Sequence, residues 1–321
     1  MKLVITVDTE EDNWGDYRPT GWTLENIARL PTLQRLFDDF NAQPTYLITY
    51  PVATDENAAA ILGELLDAGA CEIGAHCHPW NTPPFEEANS NLNTMLCNLP
   101  EDLQGRKISM LHQAIQKRFN CSPVSFRSGR WGYGQTVARN LWRLGYKIDT
   151  SITPYTDWTD FHGPDFSAIS PRAFRFCREN IFEESRSGEL VEVPATIGYV
   201  GSLSSKPRIL AAVRQLGKRR LAKRLRLMGV LSRLMLVKKV WLSPENAAVG
   251  DMIELTRRML HDGNPFINMV FHSPSLKHGL TPFVQTRDDE ERFLEKIRMF
   301  LTFAREAGVE NVTLRDSLRM A

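Results

Sequence analysis

"CEIGAHCHPW", residues 71–80, places His76 and His78 on either side of Cys77, just before a proline and a tryptophan. Its first six residues read as a strand, and what flanks that strand decides the fold. Ahead of it, "DENAAAILGELLDAG" opens on a capping Asp55 and stops at Gly69, with Ile61, Leu62, Leu65 and Leu66 as the apolar face of a helix. Before that helix, "PTYLITY" (44–50) is another strand. Still earlier, "PTLQRLFDDF" (31–40) has helical spacing with Pro31 near its start, and "LVITVD" (3–8) is a buried strand. Downstream the alternation continues. A helix is expected over about 102–119, a strand at "VSFRSG" (124–129) and a helix at "QTVARNLWRLG" (135–145). Further strands are "YKIDTSI", "LVEVPAT" and "FINMVFH" (266–272), and a long amphipathic helix over "RDDEERFLEKIRMFLTFAREAG" leads into a last strand, "NVTL". Strand–helix alternation at this spacing means a parallel sheet with helices outside it. About seven or eight strands favour closure into a distorted (β/α) barrel over an open sheet, as one domain over residues 1–321.

The chain has 321 residues, 42% hydrophobic and 24% charged, which is the profile of a water-soluble globular protein. A formal charge of +1 gives no global field that would point to nucleic acid as a partner. The N-terminus shows neither the apolar core nor the small-residue cleavage site of a secretory signal, and no apolar run reaches the ~20 residues of a membrane span. A cytoplasmic location is therefore expected. Five cysteines without a C-x-x-C pair argue against a disulfide framework, and Cys77 is expected to be a buried, inert thiol. Residues 205–241 are dense in Lys and Arg interleaved with Leu, Val and Met. A helical insertion is expected there, either packing its leucines on the barrel or touching an anionic membrane or acidic saccharide through its basic face.

In a parallel α/β sheet, chemistry gathers at the carboxyl ends of the strands. Those ends carry Asp8 and Glu10, with Glu11 and Asp12 behind, then His76 and His78, Arg127 and Arg130, Asp149, and His272. Residues two apart in an extended chain point the same way, so Asp8 can join Glu10 and His76 can join His78. Two imidazoles and a carboxylate suit Zn²⁺ or another divalent cation, which activates water and polarises a carbonyl oxygen. A spare carboxylate can act as base and a histidine as acid. Taken singly, each residue has a plainer reading as a turn residue, an ion-pair partner or a satisfied core histidine. His112, His162, His261 and His278 are left in that class.

Together these segments resemble the polysaccharide deacetylases of the nodulation-protein-B type, carbohydrate esterase family 4, in a branch with an Asp-x-Glu first motif. "TVDTEED" is similar to the first motif, "EIGAHCHPW" to the second, "SFRSGRWG" to the third, "IDTSITP" to the fourth and "VFHSPSL" to the fifth; "NVTLRDSL" looks like the family's closing strand and helix. The resemblance implies a barrel of about seven strands and metal-dependent hydrolysis of an N-acyl amino sugar. It makes Asp8 the base, Glu10, His76 and His78 the metal ligands, and Arg127 the residue that orients Asp8. Asp149 would brace Arg127 or His272, and His272 would be the acid. Most members have adjacent aspartates and histidines four apart. The spacing here leaves open which of Asp8 and Glu10 binds the metal and whether His78 is a ligand.

Arg130 is expected to contact an acidic sugar or phosphate, or else to form a surface ion pair. Trp131, Tyr133 and Trp158 are candidates for stacking on sugar rings, or for the core. The function expected is removal of an acyl group, acetyl first, from an amino sugar. The substrate would be a lipid-linked or nucleotide-linked precursor of a surface or exopolysaccharide. The alternatives are a non-sugar linear or cyclic amide on the same fold, and a catalytically silent barrel that binds saccharide. The oligomeric state is open.

Overall fold

A computed structural model of the chain describes residues 1–12, 14–204, 213 and 236–319. Most of the basic segment expected as a helical insertion, 205–235, lies outside the described residues apart from Val213. The end of that segment is a strand rather than a helix, Lys238–Trp241.

β1 (Lys2–Thr9) is buried over seven of its eight residues, as a strand covered on both faces must be. On one side it pairs in parallel with β2 (Thr45–Ile48), followed by β3 (Glu72–Cys77), β4 (Ser125–Ser128), β5 (Ile148–Asp149) and β8 (Leu190–Glu192); on its other side lies β11 (Phe266–His272). These are seven parallel strands in one curved layer. Helices return the chain between them: α1 (Leu30–Asp38), α2 (Tyr50–Thr54), α3 (Glu56–Asp67), α4 (Glu101–Phe119), α5 (Gln135–Arg143), α6 (Val249–His261) and α7 (Arg287–Glu306). Asp55 caps α3 by accepting from the Ala58 amide, and Gly69 takes φ +66° just beyond its end, as the sequence predicts. β12 (Glu310–Asn311) adds to β1, and α8 (Leu314–Ser317) follows it.

The barrel closes irregularly. β8 pairs on its free edge with β6 (Phe174–Cys177), which forms an antiparallel hairpin with β7 (Asn180–Glu184). The segment after β8 then bridges to β11 by single bonds: Thr196 N–H donates to Asn268 O at 3.2 Å, and Asn268 N–H donates to Thr196 Oγ1 at 2.7 Å. A second antiparallel pair, β9 (Ile197–Val200) with β10 (Lys238–Trp241), stands over the same seam. Neither antiparallel pair was expected from the sequence. Among the described residues no helix is long and apolar enough to cross a membrane.

The register does the functional work. Asp8 lies opposite His272 and His76 lies opposite Arg127, so four polar strand ends meet above one barrel mouth.

Candidate active site

The floor of the site is a buried polar network spanning the barrel. Arg127, fully buried, donates Nη2 to Thr6 Oγ1 at 2.7 Å and to Thr150 Oγ1 at 3.1 Å, and Nε to Thr150 O at 3.0 Å. Asn268 accepts from the Thr6 hydroxyl and donates to Thr150 Oγ1, both at 2.9 Å. With those bonds fixing its plane, the guanidinium presents Nη1 to Asp8 Oδ1 as a buried ion pair. Asp8 Oδ2 is left facing upward, 3.6 Å from His272 Nε2.

Beside this pair, three ligand atoms converge. Glu10 Oε2 lies 3.4 Å from His76 Nε2 and 3.2 Å from His78 Nε2, and the two imidazole nitrogens are 2.8 Å apart. Each ring's other nitrogen is already committed. His76 Nδ1 lies 3.1 Å from the Arg127 carbonyl and His78 Nδ1 lies 3.0 Å from Glu11 Oε1, so each carries a hydrogen and donates it. The two Nε2 atoms and the Glu10 oxygen therefore turn toward one point, which a shared proton or a metal cation can occupy. Ligands ~2.1 Å from a zinc ion stand about 3.0–3.4 Å from one another; the two sides to Glu10 match this range, and the 2.8 Å side between the imidazoles is slightly shorter. The electrostatics agree. Burial opposes charge on Glu10, yet the bonds to His76 and His78 hold its carboxyl well below the usual carboxylate range. Burial also opposes a charged His78, but Glu11 and Glu10 push it up to about 9. The corner demands positive charge. Glu10, His76 and His78 form the group of potential ligands found among the described residues; Asp8 stands further out, its Oδ2 4.0 Å from His76 Nε2.

His78 earns its place through local packing. Trp80 stacks on its ring at 4.1 Å, and a Cβ on Gly129 would come within 2.5 Å of His78 Cδ2. The glycine gives the ring its space, which is how histidines two apart both reach the same point.

His272, at the end of β11, is held by Glu245, whose carboxylate oxygens lie 3.0 and 3.2 Å from its Nδ1. Burial works against its charge, but Glu245, Glu10 and Asp8 outweigh it and raise His272 to about 10. Its Nε2–H is thus available as a donor. Trp14 meets the ring edge-on at 4.7 Å.

Above these groups opens a cavity of about 600 Å³. Asp8, Glu10, His76, His78, Arg127, Arg130, Trp131, Trp158 and His272, all singled out in the sequence, line it. Two assignments are corrected. Tyr133 is 1% exposed and belongs to the core, since the turn after Trp131 points it inward. Asp149 is buried under the site, bonded to Ser151 and facing Glu192; of its two expected partners His272 is held by Glu245 instead, while the Arg127 charge does act on it. Sequence reading gave no role to Glu245, Trp14, Tyr17, Trp80, Trp241 or Phe283, all in the cavity wall. Trp80 follows the second histidine directly and could have been noted. Glu245 sits in "SPEN", which reads as an ordinary helix start. The remaining histidines make other contacts: His112 packs on Tyr146, His278 pairs with Glu290 and His261 with Asp262. Cys77 is buried, and burial pushes its thiol to about 12.

No family model matches the chain, and no curated protein matches it by sequence. Solved structures do. A protein from Parabacteroides distasonis, described provisionally as a glycoside hydrolase/deacetylase, is 11% identical, with a TM-score of 0.56 over 97% of this chain and 69% of its own. The chain shares the fold of that glycoside hydrolase/deacetylase. Two further structures match with lower scores. One, from Mycobacterium smegmatis, carries a provisional polysaccharide deacetylase assignment (14% identity, TM-score 0.47, 98% of this chain and 93% of that one). The other is a family 4 carbohydrate esterase from Streptomyces lividans in complex with acetate (12% identity, TM-score 0.45, 97% and 91%).

Proposed function

We propose that the protein is a divalent-metal-dependent hydrolase that removes an N-acyl group, acetyl first, from an amino sugar or a short saccharide precursor. The observation that carries this reading is the convergence of Glu10 Oε2, His76 Nε2 and His78 Nε2 beside a free oxygen of Asp8 and a protonated His272. Glu10, His76 and His78 would hold the metal, with zinc the first candidate for two imidazoles and one carboxylate. When bound, the metal activates water and polarises the acyl carbonyl.

The chain's own groups account for the proton traffic. Arg127 pairs with Asp8 Oδ1 and so aims the carboxylate at the cavity. Asp8 Oδ2 faces the cavity and takes the proton of the attacking water. His272 Nε2–H gives a proton to the amide nitrogen as it leaves, and Glu245 holds that imidazole in the donating orientation. The floor network around Arg127 keeps these groups fixed, so little reorganisation accompanies the reaction. The aromatic wall offers faces for a sugar ring, and about 600 Å³ suits a compact ligand rather than a long stretch of polymer. A lipid-linked or nucleotide-linked N-acyl sugar is therefore preferred as substrate.

The test is release of acetate or formate from N-acylated monosaccharides, sugar nucleotides and lipid-linked sugars, with added Zn²⁺ and with chelator. Metal-dependent release supports the reading. No release from any of them, with metal bound, removes it.

A further inference from the structure

Each other charged side chain of the cavity wall has an opposite partner: Arg127 has Asp8, Glu10 and Glu11 have the two imidazoles, and Glu245 has His272. Among the described residues Arg130 has none. Its Nη1 donates to Thr94 Oγ1 and to Asn91 O (3.4 Å), and the guanidinium lies over the Tyr17 ring at 4.6 Å. Its Nε and Nη2 donate to no described protein group, and this is the edge of a guanidinium that grips a planar or tetrahedral oxyanion through two parallel bonds.

The backbone is shaped to present it. Gly129 cannot carry a Cβ because of His78, and Gly132 cannot because a Cβ would come 2.8 Å from the Leu96 nitrogen. Between them Arg130 and Trp131 both take left-handed φ values, 52° and 61°. Two consecutive non-glycine residues adopt that conformation only where the surroundings over-determine it, and such places cluster at ligand sites. From Arg130 the stack runs on through Tyr17 to Trp80 at 4.8 Å and then to His78 at 4.1 Å, so the guanidinium sits on the His78 side of the cavity.

We propose that Arg130 binds an oxyanion of the substrate, so that the N-acyl sugar this site prefers carries a phosphate or a carboxylate. The inference rests on the hydrolase reading for the identity of the sugar and not for the anion contact itself. Thr94 and Tyr17 fix the guanidinium plane before the ligand arrives, which lowers the cost of ordering it. The aromatic wall around it lowers the local dielectric and strengthens the contact.

Binding can be measured without turnover on Asp8→Asn protein loaded with metal. Calorimetry would compare N-acetylglucosamine, N-acetylglucosamine 1-phosphate and 2-acetamido-2-deoxyglucuronate at low and high salt. An anionic ligand should bind about 10- to 100-fold more tightly than the neutral sugar, the gain expected of a charge-assisted hydrogen-bond pair. The advantage should shrink with salt, vanish in the Arg130→Met background and survive in part in Arg130→Lys. Which anion leads tells phosphate from carboxylate. Equal affinity for neutral and anionic sugars, or an advantage that persists in both Arg130 variants, overturns the proposal. An anion preference in a protein that releases no acyl group would instead overturn the hydrolase reading and leave this one standing.

Discussion

Glu245 holds His272 at two points. Its Oε1 accepts the His272 backbone N–H at 3.0 Å, and its carboxylate accepts Nδ1–H, while Ser275 donates its hydroxyl to Oε1 at 2.6 Å. The imidazole is thereby fixed with Nε2 toward Asp8. Replacing Glu245 with Gln removes the largest of the influences that raise His272 to about 10. Activity carried by a protonated His272 is lost as pH rises through its pKa. The alkaline limb of kcat/KM should therefore move to lower pH by about 1–3 units in the variant. The same pair contributes stability that is complete below the ordinary histidine value of 6.5 and fades as pH climbs toward 10. Melting temperatures of the two proteins should accordingly converge at alkaline pH. An unmoved limb would remove Glu245 from this role.

Glu11 stands behind the metal corner. It accepts from His78 Nδ1 at 3.0 Å, from Trp80 Nε1 at 3.3 Å and from Thr49 Oγ1 at 3.3 Å. Such outer partners fix the tautomer and raise ligand basicity. In Glu11→Gln, zinc affinity should fall about 10- to 100-fold, measured by competition with a chromophoric chelator. An unchanged affinity would mean that His78 is positioned by Trp80 and Gly129 alone.

Gly129→Ala forces a methyl to within 2.5 Å of His78 Cδ2 and 2.9 Å of the Cys77 carbonyl. Overpacking of this kind costs about 1–3 kcal/mol, so the denaturation midpoint should drop and zinc affinity with it. A variant as stable and as metal-competent as the parent would show that the ring moves freely.

Much of this architecture can be read in the chain, and the exceptions have physical causes. The buried runs of β1, β3 and β11 and the caps at Asp55 and Gly69 are local signals, and they are where the sequence places them. Polar strand ends in a parallel sheet must share one mouth, so Asp8, His76, Arg127 and His272 could be grouped in advance. Glu245 could not, because it reaches His272 from the loop after β10 and only the irregular closure of the barrel brings that loop over the site. The β6–β7 hairpin was missed for a related reason: β6 is only four residues long, β7 (NIFEE) is exposed at four of its five positions, and pairing with β8 decides their conformation. Tyr133, a candidate for stacking or for the core, goes to the core, where it follows the left-handed pair Arg130 and Trp131.

Asp149 and Glu192 occupy paired positions on β5 and β8, both fully buried. Burial raises Asp149 to about 6 and, with the repulsion of its neighbour, lifts Glu192 well above the usual range. The folded protein therefore keeps protons that the unfolded chain releases above about pH 4, and stability falls as pH rises from there through 6. Glu192→Gln removes one of the two acids and should flatten that slope in urea midpoints taken between pH 4 and 7. Identical slopes in the two proteins would show that Glu192 does not carry this pH dependence.

The central claim is a cation held by Glu10, His76 and His78. An equilibrium zinc titration of the purified, metal-stripped chain and of His76→Ala and Glu10→Gln addresses it directly. The account predicts tight binding of about one ion per parent chain and its loss in both variants. No tight site in the parent, or a site that survives both substitutions, would contradict it.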